Sequence, residues 1–476
     1  MTHIRNIKRC AALVACVSLG VVAGPVALAT GAAATGPSVL APFPAPKVDF
    51  VGLGDGPGLG MGQWGAFGYA TLEHKSYKWI LGHYYGGTTV WSGTSVVSAD
   101  PTISVDINEN DGRPVIVTSA SAFSFGGHSF LPGQAARAVL SSGQWSLSEA
   151  PSCSSTTWTP VASQLLNPVA TPASLEPSAS LSQVLTICEH GGAQLAVRGT
   201  VEAFDAPHGA VTLNLLPLEE YVRGVVSGEV TWSWGLFGGT EGAPQHEPWG
   251  FQALEAQAVA TRSYLAAELV SGGWQPYATT CDAYCQSYPG VGNETPVVDA
   301  AVDDTVGKIL EQPGSVQPPP ALQPPGLPTQ TGVSPRLTGL GGQLGQSKEP
   351  GTPVFAEYSA STGGFTGGGP FPGVIDLGDS ICIKSSYYTC NPCHRWSAAV
   401  PVSALEKAFK SVGKLAEVVI TKRNGHGALG GRVESVEIVG TTGLTMTVPS
   451  WALGPFLANH NPKHCTSDWY AVTNGP

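Results

Sequence analysis

The sequence predicts an α+β protein with mixed, mostly antiparallel sheets, a few helices and a small β-rich module toward the N-terminus. Charged residues make up only 12% of the 476, against about a quarter in typical soluble domains. Gly (61) and Pro (39) are abundant, which favours many short elements separated by turns. Alternating apolar runs fill the first half, and helical periodicity is confined to a few segments. A chain of this length buries a sizeable core and has room for two or three domains.

"MTHIRNIKRC" supplies a basic start with Arg5, Lys8 and Arg9. An apolar run follows, and Ala32-Ala33-Ala34 closes it with a small-residue cleavage pattern. That layout reads as a secretory signal peptide over residues 1–34 and implies a secreted, extracellular or cell-wall-associated protein. No later stretch is long and apolar enough to predict a membrane span. The net charge of −11, with its positive charges scattered, excludes a nucleic-acid partner. Without the leader eight cysteines remain, an even number that reads as disulfides in an exported chain. Proximity favours Cys153 with Cys188, and some pairing among Cys382, Cys390, Cys393 and Cys465.

The elements follow in order. Residues 35–47 are a Pro-rich lead-in, and "KVDFVG" reads as a strand ahead of a Gly-rich segment within 48–95. "KSYKWILGHYYGG" is amphipathic, with Trp79, Ile80, Leu81 and Tyr84 on its apolar side. Residues 96–199 hold runs such as "ISVDI" and "PVIVTS" between turns, the β-rich module. "AQLAVRGTVEAF" and "AVTLNLLPL" read as two strands joined by a turn at Pro207–Gly209. The longest helix is expected at "PWGFQALEAQAVATRSYLAAELV". Pro248 falls in its first turn, Phe251, Leu254, Ala258, Leu265 and Leu269 form one stripe, and Gly272-Gly273 ends it. "TPVVDAAVDDTVGKIL" predicts a second, short helix, and residues 311–352, rich in Pro and Gly, a disordered insertion. "SALEKAFKSV" then reads as a helix, and "LAEVVITKR", "VESVEIVG" and "LTMTVPS" as strands.

Several chemistries are excluded. Gly60-Met61-Gly62-Gln63-Trp64-Gly65 fits G-x-G-x-x-G, but no acidic residue lies about 20 positions on to hold a ribose. No Walker A loop, H-E-x-x-H or G-x-S-x-G elbow is present. The carboxylates say more. Glu219 and Glu220 open a helix turn, where acids suit the dipole. Glu229 instead stands among Val225, Val226, Val230, Trp232 and Trp234, surroundings that raise a carboxyl pKa and suit a proton donor.

"LPLEEYVRGVVSGEV…ALEAQAVATRSYLAAE" resembles the stage II sporulation protein D / LytB amidase-enhancer (SpoIID) family. "TTCDAYCQSYPG", "AAVDDTVGKIL" and "AEYSASTGGFT" are similar to further blocks of that family in the same order, so the resemblance covers residues 200–475. It implies an exported cell-wall protein that cleaves peptidoglycan glycan between N-acetylmuramic acid and N-acetylglucosamine, leaving a 1,6-anhydro end and needing no cofactor. A single carboxyl suffices when the sugar's own 6-hydroxyl attacks, because one group both donates and accepts the proton. Glu229 holds the position of the family's catalytic acid. Gln257 and Arg262 fall in the matched helix block, where Arg262 reads either as a structural ion pair or as a group positioning substrate or Glu229, and Ser359, Ser361, Thr362, Gly363, Gly364 and Thr366 supply hydroxyls and close backbone approach suited to a sugar chain.

Cys281 and Cys285 match a pair that binds zinc with a histidine in some members. No histidine lies just upstream, so a disulfide is the favoured reading. The stretch "GDGPGLGMGQWGAFGYA" is similar to a G-H-G-x-G-M-(S/G)-Q-(Y/W)-G-A block that follows the Ser-Gly-Gly-Thr block in many members. Here it precedes the catalytic region, with Pro57 at the usual histidine position. It is expected to fold back as a wall of the glycan cleft, adding Met61, Gly62 and Gln63 to the substrate-facing set. The segment after Glu229 is longer than usual and brings Trp232, Trp234, Phe237 and Trp249, an expected aromatic platform for sugars. Other readings are a non-catalytic enhancer of a cell-wall amidase, a glycan-binding wall protein, and a structural or adhesive surface protein.

Overall fold

The computed structural model describes residues 39–92, 95–188, 192–312, 351–384 and 388–475. The expected signal peptide and nearly all of the Pro/Gly-rich insertion lie outside them. The chain forms two compact units, one from the residues up to Pro57 and from Pro392 onward, the other from Gly58 to Asn391. The fold is α+β with mostly antiparallel sheets.

Five helices shape the larger unit: α1 (Gln63–Glu73), α2 (Tyr77–Tyr84), α3 (Leu218–Glu229), α4 (Phe251–Ser271) and α5 (Pro296–Asp303). Ser76 starts α2 by accepting the Trp79 N–H at 3.4 Å, and Thr295 starts α5 by accepting that of Val298 at 3.5 Å. α4 departs from the expected amphipathic stripe. Phe251 to Ser263 are all buried, polar Gln257, Thr261 and Arg262 included. Its alanines let neighbours approach from every side, so it is the unit's central rod. Pro248 lies ahead of the helix, and Gly272 caps it with a left-handed φ of 99°.

A seven-stranded sheet runs in the order Thr280–Cys281, Thr102–Asp106, Gly209–Pro217, Thr200–Ala206, Val169–Thr171, Phe123–Phe125, His128–Phe130. Only its first pairing is parallel. An antiparallel six-stranded sheet shares the same core. The run read as one strand, "AQLAVRGTVEAF", is divided between the two. Gln194–Val197 joins the six-stranded sheet and Thr200–Ala206 the other. The chain turns at Gly199, where φ is 72° and a Cβ would sit 2.0 Å from the Leu215 carbonyl oxygen. The boundary expected at residue 199 therefore falls inside one compact unit.

In the smaller unit, Lys47–Gly52 pairs antiparallel with both Trp396–Pro401 and Tyr470–Val472. Helix α6 (Val402–Ala408) and an antiparallel sheet of Leu415–Arg423, Val433–Gly440 and Thr445–Pro449 follow, then α7 (Gly454–Asn459). Val48, Phe50, Val400, Leu405, Val436, Ile438 and Tyr470 form its core. The Gly-rich stretch starts here, with Asp55 Oδ1 accepting the Thr466 N–H at 2.8 Å. The disulfides are Cys153–Cys188, Cys281–Cys285, Cys382–Cys390 and Cys393–Cys465. Among the described residues no helix is long and apolar enough to cross a membrane.

The larger unit buries many acids. Burial lifts Asp106 to about 8, helped by the charges of Asp111 and Asp282, and lifts Glu268 to about 8. Glu255 and Glu220 are held up at about 7, again chiefly by burial. These groups bind protons in the folded chain that the unfolded chain releases above its ordinary values of 3.8 and 4.5. Their stabilisation is complete below those values and is lost as pH rises toward 8. The expected outcome is a Tm several degrees higher at pH 5 than at pH 8.5, read by calorimetry in matched ionic strength.

Candidate active site

The site grows from the end of α3. Pro217 precedes this helix and its buried side, with Leu218, Tyr221, Val222, Val225 and Val226, anchors it in the core. Glu229 is its last residue, half-buried with an edge open to solvent. The carbonyl end of a helix disfavours negative charge, and burial acts in the same direction. Burial is the main cause that pushes the Glu229 carboxyl above the ordinary carboxylate range. Hydrogen bonds from Ser287, Gln63 and Tyr358 oppose it. The Ser287 backbone N–H donates to Oε1 at 2.8 Å and the Gln63 amide donates to Oε2 at 3.1 Å.

Two segments distant in sequence deliver these partners. Met61–Gly62 pairs parallel with Tyr358–Ser359, and flanking bonds run from Met61 N–H to the Glu357 carbonyl and from Trp64 N–H to that of Ala360. α1 then begins at Gln63, which turns its amide to Glu229 and to Gln257 Oε1 at 3.4 Å. The glycines here provide clearance. A Cβ on Gly60 would lie 1.8 Å from the Glu357 carbonyl oxygen, and one on Gly62 2.5 Å from an Asp376 carboxylate oxygen. The Gly-rich block therefore meets the Ser-Gly-Gly block in space, across 297 residues between Met61 and its partner Tyr358.

Behind the carboxyl lies a neutral polar network. Gln257 donates to Thr261 Oγ1 at 3.3 Å, and Tyr358 donates to Gln286 Oε1 at 2.9 Å. Gln286 in turn donates to the Tyr221 hydroxyl at 3.4 Å. Gln286 and Ser287 directly follow the loop closed by the Cys281–Cys285 disulfide, which extends the parallel edge Thr280–Cys281. With both sulfurs in a disulfide, neither thiolate is free for zinc. Among the described residues no group of three His, Cys, Asp or Glu side chains is placed to hold a metal.

Of the residues expected to face substrate, most turn inward. Ser361 donates to both oxygens of Asp379 at 2.8 and 2.9 Å, and the Thr362 and Gly363 N–H groups donate to the same carboxylate at 2.9 and 3.0 Å. Thr362 Oγ1 donates to Asp376 at 2.7 Å, Ser359 to the Leu59 carbonyl, and Thr366 accepts the Val374 N–H. These hydroxyls are buried and committed, so they shape the turn instead of offering hydrogen bonds to a sugar. Met61, Gly62 and Gln257 are buried as well, and Gly364 keeps part of its surface open.

Arg262 is fully buried and forks onto Glu219 at 2.9 and 2.7 Å, with the Lys308 carbonyl at 3.2 Å. It joins α4 to α3 and does not reach Glu229, so it serves the scaffold. The aromatic platform is also divided. Trp234 stacks on Phe67 with centroids 4.6 Å apart, Phe237 meets the same ring edge-on, and Trp249 stacks on His74. Trp232 remains 45% exposed, in the 3₁₀ turn Trp232–Leu236 that follows Glu229.

Sequence reasoning missed Tyr358, Gln286, Ser287, Asp376 and Asp379. Tyr358 lies in a block that reads by its hydroxyls and glycines, and "CQSY" matches a family block without any signal that Gln286 and Ser287 stand beside Glu229. The two aspartates follow the glycine turn with no local signal of the reversal that aims them back at it.

The structure thus defines an α+β protein with a solvent-reachable, raised carboxyl at a helix end, surrounded by neutral hydrogen-bond partners. Residues 207–311, which include α3, α4, the disulfide loop and α5, match the SpoIID family model, described as stage II sporulation protein. This span is therefore assigned as a SpoIID domain, of a family associated with sporulation and the cell wall. No curated protein and no solved structure matches it.

Removing Arg262 leaves the Glu219 carboxylate buried and uncompensated. Arg262→Leu is expected to cost about 3–5 kcal/mol in urea unfolding. Arg262→Lys should recover only part of that, because an ammonium cannot satisfy both carboxylate oxygens in the same plane.

Proposed function

We propose that this protein is an exported peptidoglycan lytic transglycosylase with Glu229 as its single acid/base. The observation that carries the reading is the raised carboxyl of half-buried Glu229, held by Ser287 and Gln63. Protonated Glu229 gives its proton to the glycosidic oxygen as the C1–O bond breaks. The 6-hydroxyl of the muramic sugar attacks C1 and returns a proton to Glu229, so atoms balance without water or cofactor. The Gln63 and Ser287 donors hold the carboxyl in one orientation through both steps. Glycan strands are the partner on this reading, and export rests on the N-terminal sequence together with the disulfides.

The test digests purified glycan strands with wild type and Glu229→Gln and searches for 1,6-anhydro ends by mass spectrometry. Wild type should produce them and Glu229→Gln should lose at least about 100-fold. Equal products from both would remove Glu229 from the reaction. Products from neither, with retained pelleting on cell wall, would instead support a non-catalytic glycan-binding role or stimulation of a partner amidase. Because the first step needs protonated Glu229, wild-type kcat/KM should hold through the ordinary carboxylate range. It should then fall as pH rises through the elevated value, a limb read from a pH–rate profile.

Trp232 presents an open ring three residues beyond the carboxyl and suits the apolar face of a pyranose. Trp232→Ala is expected to raise KM for glycan about three- to tenfold with kcat nearly unchanged, measured by product release at varied strand concentration.

A further inference from the structure

Of the three side-chain and backbone partners of Glu229, two can only donate. The Ser287 N–H and the Gln63 amide N–H favour the ionised carboxylate and give the O–H of the protonated acid no acceptor. Tyr358 differs, because its hydroxyl both donates and accepts and has a choice of acceptor. It lies in hydrogen-bond reach of Glu229 and donates to Gln286 Oε1 at 2.9 Å. Thr261 lies beside the same phenol oxygen, and turning the O–H about its C–O bond moves no heavy atom. The backbone is equally constrained, since Tyr358 is bridged to Met61, two residues before Gln63.

We propose that the Tyr358 hydroxyl is a two-position partner of Glu229, donating to Gln286 while Glu229 is protonated and turning to Glu229 when the carboxylate forms. The inference rests on Glu229 as the acid/base. In the first step the proton leaves Glu229 for the glycosidic oxygen, and the Tyr358 O–H swings from Gln286 to the new carboxylate. In the second step Glu229 takes the proton of the attacking hydroxyl, and Tyr358 returns to Gln286. No proton leaves Tyr358, whose own ionisation is held far above its ordinary range by burial and by the neighbouring Glu229. The ionisable groups facing Tyr358 are Glu229 from α3, Tyr221 from the same helix and Tyr264 from α4. Glu229 itself answers to Tyr358 alone among ionisable side chains. The rotor thus matches the demand on a lone acid/base, which must be a good donor and then a good acceptor at one pH. Tyr358 is a positioning residue in this scheme.

Two substitutions should move Glu229 in opposite directions. Tyr358→Phe removes the only donor that appears with the charge, so the Glu229 pKa should rise. Gln286→Leu removes the competing acceptor and leaves the Tyr358 proton committed to Glu229, so the pKa should fall. Both are read directly by ¹³C NMR titration of carboxyl-labelled glutamate, with the Glu229 signal identified by its loss in Glu229→Gln. In kinetics, Tyr358→Phe should lower kcat at least tenfold with little change in KM, and the high-pH limb of kcat/KM should follow the NMR value. Shifts of one sign in both variants, or no shift in Tyr358→Phe, would overturn the proposal. The titration needs no turnover, so opposite shifts in a protein that cleaves nothing would support the rotor while counting against the proposed reaction.

Discussion

The site depends on one short pairing. Met61–Gly62 against Tyr358–Ser359 is only two residues wide, yet it fixes Gln63 and Tyr358 on either side of Glu229. A parallel contact closing so long a loop gains little by itself, because loop closure costs entropy and two ladder bonds are worth about 1 kcal/mol each. It persists because both strands are packed from behind. Asp379 gathers Ser361, Thr362 and Gly363 into one turn, and Asp376 fills the space that the missing side chain of Gly62 leaves. The buried Asp376 and Asp379 are thus bound by hydroxyls and backbone N–H groups of the turn, whereas Glu229 is only half-buried.

How much of this was legible in the sequence depends on the distance over which each signal acts. α2, α5 and the C-terminal strands announced themselves through local periodicity and turn residues, and those signals held in the fold. Glu229 was legible because its apolar neighbours are also neighbours in sequence. The convergence of "GMGQWGA" on the Ser-Gly-Gly block came from the resemblance, since no property of either segment names the other. The reading failed where a residue type has two uses. A serine or threonine beside glycines suits a sugar, but it suits a buried aspartate equally well, and Asp376 and Asp379 decided the matter. Arg262 was open to two readings, a structural ion pair or a positioning group, and its partner is Glu219, which by itself looked sufficient as a helix-dipole residue. α4 looked amphipathic because its polar residues were counted as exposed. They are buried, and Gln252 and Arg262 find their partners on neighbouring elements, the Tyr77 N–H and Glu219.

A reaction run by one carboxyl places unusual demands on its surroundings. A pair of carboxylates divides donor and acceptor between two environments, each tuned separately. A lone group has one environment for both tasks, and fixed charges nearby would favour one task at the expense of the other. The network behind Glu229 is built from amides, hydroxyls and phenols, all neutral, with the charged pair Arg262–Glu219 kept to a separate junction. Hydrogen atoms in such a network can be redistributed without moving any heavy atom. That redistribution is what the proposed acid/base role of Glu229 requires within one turnover.

The smaller unit carries a consequence of a different kind. Its first strand, Lys47–Gly52, finds both of its sheet partners only in Trp396–Pro401 and Tyr470–Val472. During synthesis the apolar face of Val48 and Phe50 must therefore wait, unpaired, until almost the last described residue has been delivered. A chain cut short before Tyr470 would keep an open strand edge and a sticky apolar face near its start, the features that proteases and chaperones recognise. The architecture thereby makes the fate of the N-terminal segment report on whether the C-terminal one has arrived.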